Sequence, residues 1–168
     1  MKAVFLDRDG VINDNEKHVN KPEDLILYPG VCESISKLNE AGYQVFVVTN
    51  QGGVGSGFMS HSMLKAIHRK LEDDLTQCDA KLTEIAACTH HPKAGCECRK
   101  PLPGMITGLV AKHNIDVSSS WLVGDMSTDC QAGKAAGVAK CIMLRGQSEY
   151  ADYTATDLVE AVSIILST

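Results

Sequence analysis

Asp7 and Asp9 flank Arg8 at the end of the apolar run Ala3–Leu6 and precede Gly10. Two carboxylates this close repel each other when ionised, unless a cation or a shared proton intervenes. A hard divalent ion such as Mg2+ suits their oxygens. An EF-hand does not fit: with Asp7 as loop position 1, Ile12 falls where the glycine belongs and His18 where the bidentate glutamate belongs. Other polar groups also follow apolar runs. Thr49-Asn50-Gln51 follows 45–48, Gly124-Asp125 follows 120–123 with Asp129 four residues on, and Lys100 lies in the loop after 85–88. Carboxylates for a cation, with a hydroxyl and an ammonium for an anion, meet the needs of phosphoryl transfer. Charge on the equatorial oxygens is neutralised, and a carboxylate can then attack phosphorus.

A second constellation lies between the third apolar run and Lys100. Cys88, Cys96 and Cys98 fall within eleven residues, with His90 and His91 between them. Three thiolates and one imidazole make a tetrahedral zinc set, and a closed set of four leaves no open position for catalysis. The expectation is a structural Zn2+ that fixes Arg99 and Lys100, with His90 or His91 as the fourth ligand. The remaining cysteines, Cys32, Cys78, Cys130 and Cys141, are scattered and read as reduced core residues. His61, His68 and His113 read as surface or helix-face residues, whereas His18 is near enough to the acid pair to touch substrate.

The elements that must position these groups alternate. Strands are expected at 3–6, 45–48, 85–88, 120–123 and 141–144. Helices are expected at 31–41, after Ser60 with Leu64, Ile67, Leu71 and Leu75 on one face, and at 105–113, 131–136 and 157–166. Residues 51–57, with four glycines, and 89–103 read as loops. Strands separated by helices predict an α/β fold of three layers, a Rossmann-like parallel sheet covered on both faces. Ligands in such folds bind outside the carboxyl ends of the strands, where these polar residues stand.

With 168 residues, one domain spanning 1–168 is expected. Hydrophobic residues at 44% and charged residues at 22% exclude a disordered, collagen-like or coiled-coil chain. A net charge of −5 provides no global basic field for nucleic acid or anionic lipid. No apolar stretch approaches the ~20 residues that span a bilayer. The apolar run after Lys2 is too short for a signal-peptide core of ~7–15 residues. The reading is a cytoplasmic monomer acting on a small phosphorylated metabolite, without nucleic-acid or membrane partners.

Four segments resemble, in order, the four motifs of the haloacid dehalogenase (HAD) superfamily of phosphatases. They are Phe5-Leu6-Asp7-Arg8-Asp9-Gly10-Val11-Ile12-Asn13, Val47-Val48-Thr49-Asn50-Gln51, Cys98-Arg99-Lys100-Pro101, and Val123-Gly124-Asp125 with Asp129. The resemblance implies that Asp7 is the nucleophile and Asp9 the general acid, then base. It implies that Thr49 and Lys100 hold the phosphoryl oxygens. Asp125 would complete a Mg2+ site with the Asp7 side chain and the Asp9 carbonyl, while Asp129 would either touch a metal-bound water or only cap the following helix, the latter being expected. Asn50, Gln51, Gly52, Arg99 and His18 are candidate substrate contacts. The zinc loop with the Asp-Arg-Asp-Gly start resembles the branch containing D-glycero-D-manno-heptose 1,7-bisphosphate phosphatase and histidinol-phosphate phosphatase. That resemblance selects Cys88, His90, Cys96 and Cys98 as zinc ligands and implies a minimal cap. The chain departs from the heptose enzymes in lacking an arginine in its glycine loop, in Lys17-His18 where they have Gly-Tyr, and in Met126 after Asp125. Histidinol phosphate or another small ester is the alternative substrate. A receiver-like phospho-acceptor module is the non-enzymatic alternative; it would not carry the zinc loop.

Overall fold

The computed structural model describes all 168 residues. Six parallel strands run in the order β3-β2-β1-β4-β5-β6. They are β1 (Ala3–Leu6), β2 (Gln44–Asn50), β3 (Glu84–Cys88), β4 (Trp121–Gly124), β5 (Lys140–Leu144) and β6 (Tyr153–Ala155). The crossovers are α1 (Val31–Glu40), α2 (His61–Leu75), α3 (Gly104–His113) and α4 (Ser127–Ala135), and α5 (Leu158–Ser167) ends the chain.

Alternation along β1 makes the three layers. Val4 and Leu6 join a core beneath α1, α2 and α5, while Ala3 and Phe5 join a second core beneath α3 and α4. Successive strand side chains point to opposite faces, so a wholly apolar strand must be covered on both sides. Chain order reverses at β1, whose neighbours are β2 and β4. That switch point opens a crevice at the carboxyl ends, where Asp7, Thr49 and Asp125 stand. Segments 51–60 and 89–103 join β2 to α2 and β3 to α3, and 7–30, with one short 3-10 turn, joins β1 to α1.

Three expectations need correction. α4 begins at Ser127, four residues earlier than expected, because the Asp129 carboxylate accepts the Met126 N–H at 3.1 Å and closes the first turn. β6, a partly exposed three-residue edge strand, carries too little pattern to be seen in sequence. The four scattered cysteines are not separate reduced thiols: Cys32 pairs with Cys78 and Cys130 with Cys141 as disulfides, each pair with Cα atoms 5.7 Å apart. Cys32 lies on α1 and Cys78 in the turn after α2, so the pairing arises from packing between segments, which spacing along the chain does not reveal.

Candidate active site

The deep end of the crevice is built around Lys100. Its ammonium donates to the Val48 carbonyl at 2.8 Å and Asp129 Oδ1 at 2.6 Å, and stands 3.0 Å from Asp7 Oδ1. The Asp7 backbone N–H bonds the Val123 carbonyl, fixing the aspartate at the β1–β4 junction. The Arg8 N–H also donates to Asp7 Oδ1, which leaves Oδ2 the less encumbered oxygen. Asp129 caps α4 as expected and, in addition, pairs with Lys100, a contact that sequence reasoning missed.

The loop carrying Lys100 is held by Asn50. The Asn50 side chain accepts from the Lys100 N–H at 3.0 Å and donates to its carbonyl at 3.3 Å. This amide therefore holds the Lys100 backbone, a role beyond the substrate contact expected of it. Gln51 Nε2 bridges Thr49 Oγ1 at 2.8 Å and Asp9 Oδ2 at 3.1 Å. Because the amide donates to Thr49, the threonine hydroxyl proton remains free for an incoming anion. Asp9 Oδ1 collects donors from Arg8 Nε and Nη2 and from Asn13 Nδ2. Burial alone would raise the Asp9 pKa, but the Arg8 charge and these hydrogen bonds hold it below the usual carboxylate value.

Asp7, Asp125 and Asp129 each bring a carboxylate oxygen within 4.8 Å of the others. Burial raises the pKa of Asp7 to about 7 despite Lys100, with Asp129 and Asp125 adding to the rise. Burial and Asp129 also raise Asp125. Asp125 Oδ1 is buried without a hydrogen-bond partner. Four carboxylates here face two buried cations, Arg8 and Lys100, and the exposed Arg145 beside Asp125, an excess of negative charge that a divalent ion would offset. The donor set is all oxygen and so fits Mg2+. Gly10, at φ +84°, permits this closeness, because any Cβ there would collide with the Asp125 carboxyl group.

The raised pKa has a measurable consequence. In metal-free protein, the folded state keeps the Asp7 proton from about pH 4, its ordinary value, to about pH 7, while the unfolded state loses it. Stability contributed by the protonated group thus falls across that window and levels off above it. Mg2+ needs the ionised form and must displace that proton at low pH. Thermal unfolding should therefore show a Mg2+-induced rise in Tm that is small at pH 5 and grows to a plateau above pH 7. A rise independent of pH would exclude Asp7 as a ligand.

Outward from this point lies a cavity of about 580 Å3. Asp9, His18, Asn50, Gln51, Gly52 and Arg99 all line it, so the structure brings the proposed substrate contacts to one wall system. Lys17, noted in the sequence only as a departure from the heptose enzymes, and the exposed Phe58, which was not singled out, line it too. The side chains of Arg99 and Lys100 diverge: Lys100 is buried in the acid cluster, and Arg99 faces the cavity. The glycine loop packs on the cysteine loop so closely that a Cβ at Gly55 would collide with the His90–His91 backbone.

Cys88 Sγ lies 3.6 Å from Cys96 Sγ, 3.0 Å from Cys98 Sγ and 3.6 Å from His90 Nδ1, and His90 Nδ1 lies 3.2 Å from Cys98 Sγ. His91 turns away, its Nδ1 accepting the Lys93 N–H. Ligands on one tetrahedral zinc would stand about 3.5–3.8 Å apart. Burial and the neighbouring sulfurs push the Cys98 thiol up to about 12. The Arg99 and Cys98 N–H groups outweigh burial to bring Cys96 down to about 6. Three sulfurs and one imidazole nitrogen at these spacings make a donor set that fits Zn2+.

A family model described as polynucleotide kinase 3 phosphatase matches residues 3–167. The chain belongs to that family of HAD-superfamily phosphatases. It is 42% identical over 143 residues to the D-glycero-β-D-manno-heptose-1,7-bisphosphate 7-phosphatase of Rhodopseudomonas palustris, covering 81% of this chain and 79% of that one. The corresponding Pseudomonas putida enzyme is 35% identical over 150 residues, 89% of this chain and 86% of its own. The crystal structure of D,D-heptose 1,7-bisphosphate phosphatase from B. bronchiseptica, complexed with magnesium and phosphate, superposes with a TM-score of 0.92 at 32% identity, over 99% of each chain. The HAD fold and the order of its motifs are thus those expected from the sequence. No helix is long and apolar enough to cross a membrane.

Proposed function

We propose that the chain, a HAD-type phosphoric monoester hydrolase, removes the C7 phosphate of D-glycero-D-manno-heptose 1,7-bisphosphate through an aspartyl-phosphate on Asp7. The observation that carries the substrate reading is the separation of two cationic groups that are neighbours in sequence. Lys100 is buried 3.0 Å from Asp7 Oδ1, whereas Arg99, with Lys17, lines the cavity that also includes Asp9. A substrate with two anionic groups suits that separation, and relatives at 34–42% identity bear the heptose bisphosphate name.

In this mechanism Asp7 attacks phosphorus while the Thr49 hydroxyl and the Lys100 ammonium donate to the phosphoryl oxygens. Asp9, whose ionised form the Arg8 charge favours in the free enzyme, must first take up a proton from solvent; it gives that proton to the departing alkoxide and then takes one from the water that hydrolyses the acyl-phosphate. Mg2+ held by Asp7, Asp125 and the Asp9 carbonyl would neutralise phosphoryl charge. We further read residues 1–168 as one HAD-like domain whose loop 88–98 is stapled by Zn2+ on Cys88, His90, Cys96 and Cys98. The enzyme is read as a monomer, since one chain brings all the named groups together.

Arg99 tests the substrate. A planar guanidinium suits bidentate capture of a second phosphate. Arg99→Ala should cost roughly 2–4 kcal/mol in kcat/KM for the bisphosphate and much less for p-nitrophenyl phosphate. Equal losses would mean that Arg99 serves the common transition state. Phosphate release should also be faster from the heptose bisphosphate than from histidinol phosphate or a 3′-phosphorylated oligonucleotide; the reverse order would overturn the assignment.

Zinc is tested separately. Elemental analysis of protein purified without chelator should give one zinc per chain. Cys96→Ser should lower Tm and raise KM more than it lowers kcat, by loosening Arg99 and Lys100. Activity restored by zinc alone, without Mg2+, would contradict a structural role.

A further inference from the structure

Arg8 is 1% exposed, and its guanidinium reaches in two directions. Nε and Nη2 donate to Asp9 Oδ1 at 3.0 and 2.9 Å, while Nη1 meets His68 Nε2 at 3.1 Å. A guanidinium offers donors only, so His68 Nε2 must accept, and the imidazole carries its proton on Nδ1. Burial, and then the Arg8 charge, bring the His68 pKa down to about 4, so the ring stays neutral near pH 7.

We propose that buried Arg8 and half-buried His68 form a clamp that positions the Asp9 carboxyl group, with His68 the acceptor that fixes the guanidinium plane. This rests on reading Asp9 as the general acid and base. A guanidinium is flat, so the direction of Nη1 dictates where the Nε–Nη2 edge points. Without an acceptor at Nη1, a buried donor is left unpaired, and Arg8 gains by turning towards another partner. Such a turn would move the edge that holds Asp9 Oδ1. His68 is itself anchored, because its helix neighbours Ile67 and Leu71 are fully buried in the core. α2 begins directly after the glycine loop that lines the cavity, so the clamp joins the acid to the substrate wall. His68 does not line the cavity and is a positioning residue.

Leaving-group dependence isolates this role. An alkyl phosphate needs its departing oxygen protonated, whereas p-nitrophenolate leaves without a proton. For His68→Phe, which keeps an aromatic ring but offers no acceptor, the loss in kcat/KM on an alkyl phosphate should exceed the loss on p-nitrophenyl phosphate about tenfold. His68→Gln, which restores an acceptor, should recover most of that gap. Asp9→Asn supplies the reference and should show the largest gap. A gap in Asp9→Asn with none in His68→Phe overturns the clamp alone. No gap in either overturns the general-acid reading and the clamp with it. In the wild-type protein, 15N shifts of the His68 ring should report the Nδ1–H tautomer at pH 7. An Nε2–H tautomer or a protonated ring overturns the proposal even if the variants fail to fold.

Discussion

Asp7→Asn is expected to abolish turnover while leaving the fold intact. The amide cannot attack phosphorus, and with the nucleophile of a covalent route removed, kcat should fall on the order of 10^4-fold or more, about 5 kcal/mol of barrier. The fold should tolerate the change, because asparagine keeps an oxygen to accept the Arg8 N–H and the Lys100 ammonium. It also removes a carboxylate that burial and the Asp125 and Asp129 charges already disfavour. The metal-free variant should therefore melt at or above the wild-type temperature near pH 8, and its Mg2+-induced rise in Tm should shrink. Rapid quenching of the wild-type enzyme with labelled substrate should trap the label on Asp7. Substantial residual activity in a folded, metal-competent Asp7→Asn protein would end the nucleophile assignment.

The chemical positions were legible because the apolar runs end abruptly in functional groups. Val4 to Leu6, 45–48 and 120–123 are buried on both faces, and the next polar residue stands at a carboxyl end of the sheet. Lys100 was placed by its motif, yet its Asp129 partner was not, since that ion pair spans 29 residues and two elements. Asn50 and Gln51 were read as substrate contacts from their place beside Thr49. The structure shows Asn50 tying the Lys100 loop and Gln51 joining Thr49 to Asp9. His68 passed for a helix-face residue: its spacing on α2 is that of a flank, and the side chain gains a role only through its contact with Arg8, sixty residues away in sequence. The disulfide pairs were hidden for the same reason. Strand-end chemistry is a local property of sequence, whereas partnership between buried polar groups depends on packing across elements.

Lys100 to methionine is expected to damage both stability and catalysis, for one electrostatic reason. The Lys100 side chain is 3% exposed and stands between Asp7 Oδ1 and Asp129 Oδ1. Burial alone would lower its pKa, but the two carboxylates more than offset that and raise it, so it remains charged. Removing one member of a buried pair leaves an uncompensated charge and costs about 3–5 kcal/mol. Here two carboxylates lose their partner, so the metal-free variant should unfold at markedly lower denaturant concentration, with the deficit reduced by Mg2+. The phosphoryl oxygens lose a fixed cation as well, and a preorganised donor of this kind contributes roughly 10^2–10^3-fold in kcat. Adding Asp129→Asn separates the two effects. It removes one of the orphaned charges and should recover stability in the double variant while activity stays low. The double-mutant cycle should give a coupling of about 1–3 kcal/mol in unfolding free energy. A coupling near zero would mean that the pair is not formed in solution. Recovery of activity together with stability would place Lys100 in the support of the site and not in contact with the phosphoryl group.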